Sequence, residues 1–283
     1  MKALFLLLLA CAIFGGAGYY TYDLFVKPQV ELKREKDAPA TPAPPDPTIP
    51  DYEKCANLAK KGQIVEARKA FEEFLERFPQ SSKLEDARNA LGEINSTIFL
   101  TPLPTPEKEV YLVKSGDVLN TVARRTNSTV ELIMRANALE GTMLRIGQKL
   151  LLPPSDFSVV ISRKRQKVTL LNQGKFFKQY PIQQMPAALQ APKKGAAAAK
   201  QVGKVVERIA WVEGNRVTIA DKNYASATHW ISVSLPHCTL YAEPPAGSDP
   251  KGASKPPSGI AVSAEAASEM AALLSRGNPV TLE

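Results

Sequence analysis

The chain is poor in the side chains on which metal sites, disulfide scaffolds and thiol chemistry depend. Of 283 residues, three are cysteine and two are histidine. Cys11, Cys55 and Cys238 stand far apart with no CxxC, so no disulfide framework, zinc ribbon or zinc finger can be assembled from them. No metal is expected, and no motif calls for a cofactor. Cys11 lies in an apolar run and Cys55 on an expected helix face, which reads as two buried thiols. Aromatic residues make up 7% of the chain. They are not interleaved with basic residues, and no helix-turn-helix pattern occurs, so a nucleic-acid partner is not expected. A hydrophobic share of 44% excludes a wholly disordered chain and fits a length of roughly two ordinary domains.

The formal charge is +8 and is uneven: residues 157–283 hold 16 Lys/Arg against 8 Asp/Glu, which accounts for all of it. A basic C-terminal surface favours anionic polymers. At the other end, no charge separates Lys2 from Asp23, and 20 apolar or neutral residues in a helix span about 30 Å, the thickness of a bilayer core. Residues 1–24 therefore read as a signal anchor with Tyr19, Tyr20 and Tyr22 at its interface. A cleaved signal peptide, or a lipobox at Leu8-Leu9-Ala10-Cys11, remains an open alternative. Lys2 competes with Lys27, Lys33, Arg34 and Lys36, so flanking charge leaves orientation open; with the N-terminus inside, each alternative places the remainder in the cell envelope, outside the cytoplasm.

Residues 25–50 read as a linker, because six of the twelve residues from Pro39 to Pro50 are proline and favour a semi-stiff polyproline II spacer. A shorter proline-punctuated stretch marks 99–108. Between them, residues 51–98 carry Leu58, Ala59, Ala67, Ala70, Phe71, Phe74 and Leu75 at helical spacing, with Phe78-Pro79 as a stop. A third helix is expected from Leu84 to Ile94. The set Gly62, Glu66-Ala67, Phe71, Phe74 and Pro79 resembles a tetratricopeptide repeat. That resemblance implies a docking hairpin for another envelope protein, although one repeat alone is a poor groove.

Residues 109–153 predict a strand (Val110–Val113), a turn at Ser115-Gly116-Asp117, helices from about Val118 to Arg125 and from Ser128 or Thr129 to Ala136, and a strand from Lys149 to Leu152. With Tyr111, Gly116-Asp117, Leu119, Ala123, Leu132, Asn137, Leu144, Gly147-Gln148 and Pro153 in place, this βααβ unit resembles the LysM module; Val118 departs from its usual Thr. The resemblance implies binding of N-acetylglucosamine polymers such as peptidoglycan. It points to Gly116, Asp117, Val118 and Leu119 on one wall of a groove, and to Met143, Leu144, Arg145 and Ile146 on the other. Backbone groups of two turns can bond acetamido groups while apolar side chains cover the sugar face.

From Phe157 onward the pattern is mostly β. FSVVIS and KVTLLN are followed by a turn at Asn172-Gln173-Gly174 and by KFFKQYPI. Strands are expected at Val205–Val212, Arg216–Ala220 and Trp230–Ser234. Ser263 then caps a helix running to Ser275, Gly277 stops it, and Pro279–Leu282 forms a last strand. Pro186–Lys204 and Pro244–Ser258 read as loops of low complexity. The opening hairpin and the closing helix-strand resemble an L,D-transpeptidase (YkuD-type) domain over 157–283. In that family a thiolate attacks an acyl donor and a histidine takes its proton. Counted back from Ser263, Gly259 occupies the cysteine position, Ala261 the arginine position and Tyr241 the histidine position. No Cys or His follows Cys238. The resemblance thus implies the fold without the activity.

His229 with Cys238 is the available substitute pair. Ser258 lacks an evident base, and Lys193, Lys194 and Lys200 are candidates to grip anionic peptide. Cys238 and Trp230 are expected in the core, and His229 and His237 on loops or edges. The fold class expected is multidomain α+β: an N-terminal membrane helix, a short helical hairpin, a βααβ module and a mostly-β C-terminal domain. The function expected is envelope glycan binding with a non-catalytic transpeptidase-like domain. A transpeptidase using Cys238 and a helical adaptor are the alternatives.

Overall fold

The computed structural model describes residues 46–190, 200–242 and 258–283, with a few positions before 46. The chain divides into two compact units, 1–46 and 47–283. Most of the expected membrane segment and of the proline linker lies outside the described residues, as do Lys193 and Lys194. Among the described residues no helix is long and apolar enough to cross a membrane.

The second unit opens with three helices: α1 (Ile49–Lys60), α2 (Ile64–Arg77) and α3 (Leu84–Leu100). Pro50 sits in the first turn of α1, where its missing N–H costs nothing, so the last residues of the expected spacer are helical. Gly62 turns the chain with φ +74° between α1 and α2. Helix α3 runs past the expected end at Ile94, because the apolar stripe Ala87, Leu91, Ile94 continues through Ile98. It stops where Thr101, extended at ψ 160° ahead of Pro102, cannot be helical. Ile98 and Phe99 then leave the hairpin altogether. Phe99 meets Phe177 edge-on at 4.9 Å and Phe157 at 6.1 Å, inside the C-terminal core. Gly92 lets α3 approach the chain at Lys178 closely, since a Cβ there would lie 2.8 Å from Lys178 Cγ. Asn95 Nδ2 donates to the Phe177 carbonyl at 2.7 Å.

The stretch after α3 is folded back, with Thr105 and Lys108 buried. Lys108 Nζ donates to the Thr101 carbonyl at 2.6 Å, and Arg68 of α2 pairs with Glu107. Strands β1 (Glu109–Leu112) and β2 (Lys149–Leu152) pair antiparallel, with Tyr111 opposite Leu150. Between them lie α4 (Leu119–Arg125) and α5 (Val130–Ala136), over a small core of Val113, Leu119, Val122, Ile133 and Leu150.

The remaining strands are β3 (Phe157–Ser162), β4 (Lys167–Asn172), β5 (Lys175–Pro181), β6 (Gln201–Val212), β7 (Asn215–Val217), β8 (Thr228–Val233), β9 (Thr239–Ala242), β10 (Gly259–Val262) and β11 (Pro279–Leu282). They form one mixed sheet in the order β10-β9-β8-β6-β11-β3-β4-β5, with β7 beside β6. The sheet curls until its ends meet: Gln183 N–H donates to the Ala261 carbonyl and Ala261 N–H to the Gln184 carbonyl, both at 2.9 Å. Helix α6 (Ala264–Leu273), capped by the Ser263 hydroxyl on Ala266 N–H, is seated against β8 and β9. Ala266, Ala267, Met270, Ala271, Ala272 and Leu273 are all buried, as expected for a helix apolar nearly all round.

Several boundaries differ from the sequence pattern. Strand β6 begins at Gln201, inside the expected loop Pro186–Lys204, because β11 offers an edge on which Lys204 pairs with Pro279. Leu189, also in that loop, is buried in a 3-10 turn. Strand β7 stops at Val217, because Asp221 draws Thr218 into a turn by accepting from its N–H and its hydroxyl. In β5 a register shift after Leu170 lets both Phe177 and Lys178 turn inward.

Burial lowers the Lys108 ammonium from its ordinary 10.5 to about 8. Between those values the unfolded chain holds the proton more tightly, so the protein should gain stability as pH rises from about 8 towards 10. Thermal melts across that range should show the gain in the native chain and lose it in Lys108→Met. Parallel pH profiles for the two proteins would contradict the assignment.

Candidate functional site

Two loops meet at the end of the β1–β2 pair, and Val113 holds them together. Its carbonyl accepts from Gly147 N–H and its N–H donates to the Gln148 carbonyl, both at 2.9 Å. Gly116 and Gly147 adopt φ of +81° and +80°, so each loop turns on a residue without a Cβ. The Asp117 carboxylate is engaged from three sides: Tyr111 Oη donates at 2.6 Å, Lys114 N–H at 2.8 Å, and Arg125 pairs with it. These donors, Tyr111 first, hold its pKa at about 2. On the facing loop, Gln148 Oε1 accepts from Arg145 N–H at 3.0 Å. Rigid turns thus present an apolar lip: Val118 is 56% exposed, Ile146 75% and Met143 90%. Leu119 is 2% exposed and belongs to the core, while Leu144 is half-buried against it.

In the C-terminal sheet, β10 runs parallel to β9, with Gly259 beside Thr239 and Ala261 beside Tyr241. Gly259 is packed so tightly that a Cβ would collide with the Thr239 carbonyl oxygen. Tyr241 is buried. Cys238 is buried, and desolvation pushes its thiol up against a smaller opposing effect of the Arg163 charge. His229 is set apart from Cys238. It is 4% exposed on β8, edge-on to Tyr224 at 5.4 Å, beneath Glu131, Arg135 and Arg208. Burial holds its pKa below the ordinary value. The expectation that His229 is a loop or edge residue is therefore corrected. It shares the inward parity of Ile231, while Trp230, expected in the core, points the other way and tilts against Trp211 at 5.2 Å. His237 is exposed at φ +58°, and its Nδ1 lies 2.8 Å from Ser258 Oγ. Ser258, expected to lack a base, thus has an imidazole beside it.

Residues 111–153 match the LysM domain family. No curated protein matches the chain. Among solved structures, an L,D-transpeptidase from Mycobacterium smegmatis is similar at 14% identity and a TM-score of 0.30, over 49% of this chain and 64% of that one. An L,D-transpeptidase (Yku) from Stackebrandtia nassauensis gives 13% and 0.29, over 45% and 55%. A mutant of the Enterococcus faecium L,D-transpeptidase gives 13% and 0.29, over 50% and 56%. The chain thus spans 55% to 64% of the length of these relatives. Scores this low carry nothing about chemistry.

The LysM domain brings the expected residues to its two loops but divides their roles. Val118, Met143, Arg145 and Ile146 face outward, Leu119 packs inward, and Asp117 offers a ligand its backbone only. Gln148 and Val113, which fix the loops, were not singled out as site residues from the pattern; the backbone bonds through Val113 join positions more than 30 residues apart, while the Gln148 side chain acts within its own loop. Elsewhere Gly259→Ala should cost about 1–3 kcal/mol by forcing β10 off β9, measured by urea denaturation. An unchanged midpoint would show that the strand has room for a side chain.

Proposed function

We propose that this protein attaches to N-acetylglucosamine-containing glycan of the cell envelope, peptidoglycan above all, through its LysM domain. In this reading the C-terminal domain has an L,D-transpeptidase-like fold, does no acyl transfer, and serves a structural or regulatory role in wall assembly. The observation that carries the reading is the LysM match together with the exposed lip of Val118, Met143 and Ile146 beside two rigid turns. Apolar side chains so exposed are suited to the hydrophobic face of a sugar ring, and backbone groups of the same turns to its acetamido groups. The absence of transfer chemistry is supported by Gly259, which leaves no space for a sulfur, and by Cys55 and Cys238, both buried with raised thiol pKa values. A buried, protonated thiol is a poor nucleophile. The adaptor reading of 51–98 is weakened because α3 commits its apolar face to β5.

Purified protein should pellet with isolated sacculi, and Met143→Asp with Ile146→Asp should weaken retention by roughly tenfold or more, about 1.4 kcal/mol. Retention unchanged in the double variant, or none at low salt, would remove the reading.

One geometry favours a second reading, hydrolysis or transfer by Ser258 with His237 as base. A fluorophosphonate adduct on Ser258, lost in His237→Gln, would establish it. An unmodified mass after prolonged exposure would leave attachment as the function.

A further inference from the structure

A recess of about 300 Å³ lies where the LysM domain meets the C-terminal sheet, lined among others by Asn120, Glu131, Arg208, Tyr224, His229 and Ala271. Neither Gly116–Leu119 nor Met143–Ile146 lines it, nor do Tyr241 and Gly259. Its volume is at the lower end of small-ligand pockets.

Its charged lining residues are Glu131 and Arg208, and the acid already has partners of its own. Glu131 is engaged on both oxygens, by Arg135 on one and by Tyr224 Oη at 2.6 Å on the other. Arg208 enters from β6 as an exposed residue whose side chain lines the recess, and desolvation of its guanidinium depresses its pKa. One of its N–H groups donates to the Ala271 carbonyl at 2.6 Å. Among the described residues no carboxylate reaches it within ion-pair distance. His229 lines the same space; neither ring nitrogen meets a partner at full hydrogen-bonding geometry, and the Ala227 backbone supplies a loose hydrogen bond to one of them at most. A buried imidazole left with at least one nitrogen unsatisfied is costly and points to something that satisfies it. By contrast, the recess between α3, β5 and α6 has its lysine matched: Lys178 bonds both Glu93 and Glu269.

We propose that the recess is a binding site for a small monocarboxylate about the size of an N-acylated amino acid. The carboxylate pairs with the free side of the Arg208 guanidinium, whose planar fork suits two oxygens. An adjoining amide exchanges hydrogen bonds with neutral His229, which offers one donor and one acceptor. Val130, Ile209, Val217 and Ile219 leave an apolar wall for a short aliphatic group.

The test uses the full chain and N-acetylalanine as probe, read by NMR of the imidazole rings. The chain has only two histidines, so His237→Asn assigns the signals. N-acetylalanine should shift the His229 ring saturably, and N-acetylalaninamide should bind at least about tenfold more weakly. Arg208→Gln should abolish the shift. Because that variant also loses a helix-capping bond, Asn120→Asp at the exposed edge serves as the second, and should weaken binding about fivefold by like-charge repulsion. Equal binding of acid and amide, no shift at roughly 20 mM, or equal binding of inorganic phosphate would overturn the assignment.

Discussion

The C-terminal carbonyls of α6 are the constraint on which the assembly of this molecule turns. A helix buried on nearly every side cannot leave its last carbonyls to water, and each one stranded in the interior costs free energy comparable to a lost hydrogen bond. Here two of them are answered from different parts of the chain. Ala271 receives the Arg208 guanidinium of β6, and Ala272 receives the hydroxyl of Thr129. Thr129 also accepts from Leu132 N–H as the N-cap of α5. One threonine thus begins a LysM helix and ends a helix of the C-terminal domain. A cation at the negative end of α6 is favoured by the helix dipole as well. Leu132 joins the large core, Arg135 reaches Ser268 at 3.1 Å, and Ser275 reaches the Asn127 carbonyl at 3.3 Å.

That docking decides which LysM surfaces remain for a ligand. The face built from α5 is spent on α6, while the loop ends carrying Val118, Met143 and Ile146 stay open. It also leaves the recess around Arg208 and His229, since capping Ala271 draws a guanidinium into a space it does not fill. Meanwhile β10 closes the curl of the sheet through Ala261 and presses Gly259 against Thr239. The proposed attachment at the LysM loops and the proposed lack of acyl transfer at β10 both rest on ordinary packing.

Much of this was legible locally. The βααβ order of the LysM segment follows from turn glycines, caps and short apolar runs, and the closing helix and strand follow from Ser263, Gly277 and alternating Pro279–Leu282. Reading failed where a distant partner sets the outcome. The apolar stripe through Ile98 carries α3 beyond Ile94, but nothing local announces where Phe99 goes, because its partners are Phe157 and Phe177. Lys204 joins β6 only because β11 passes beside it. His229 fell outside the expected strand, which began at Trp230; a strand beginning at Thr228 puts it in alternation with Ile231 on the inner face. The bond from Thr129 to Ala272 spans 143 positions and has no sequence signature.

The central claim, that glycan is held at the LysM loops and nowhere near the β9–β10 strands, is most directly tested by amide NMR of the protein titrated with an N-acetylglucosamine oligomer. The account predicts shifts confined to residues around Gly116–Leu119 and Met143–Gln148. Shifts centred on Thr239–Ala242 and Ser258–Val262, with the LysM loops unmoved, would contradict it.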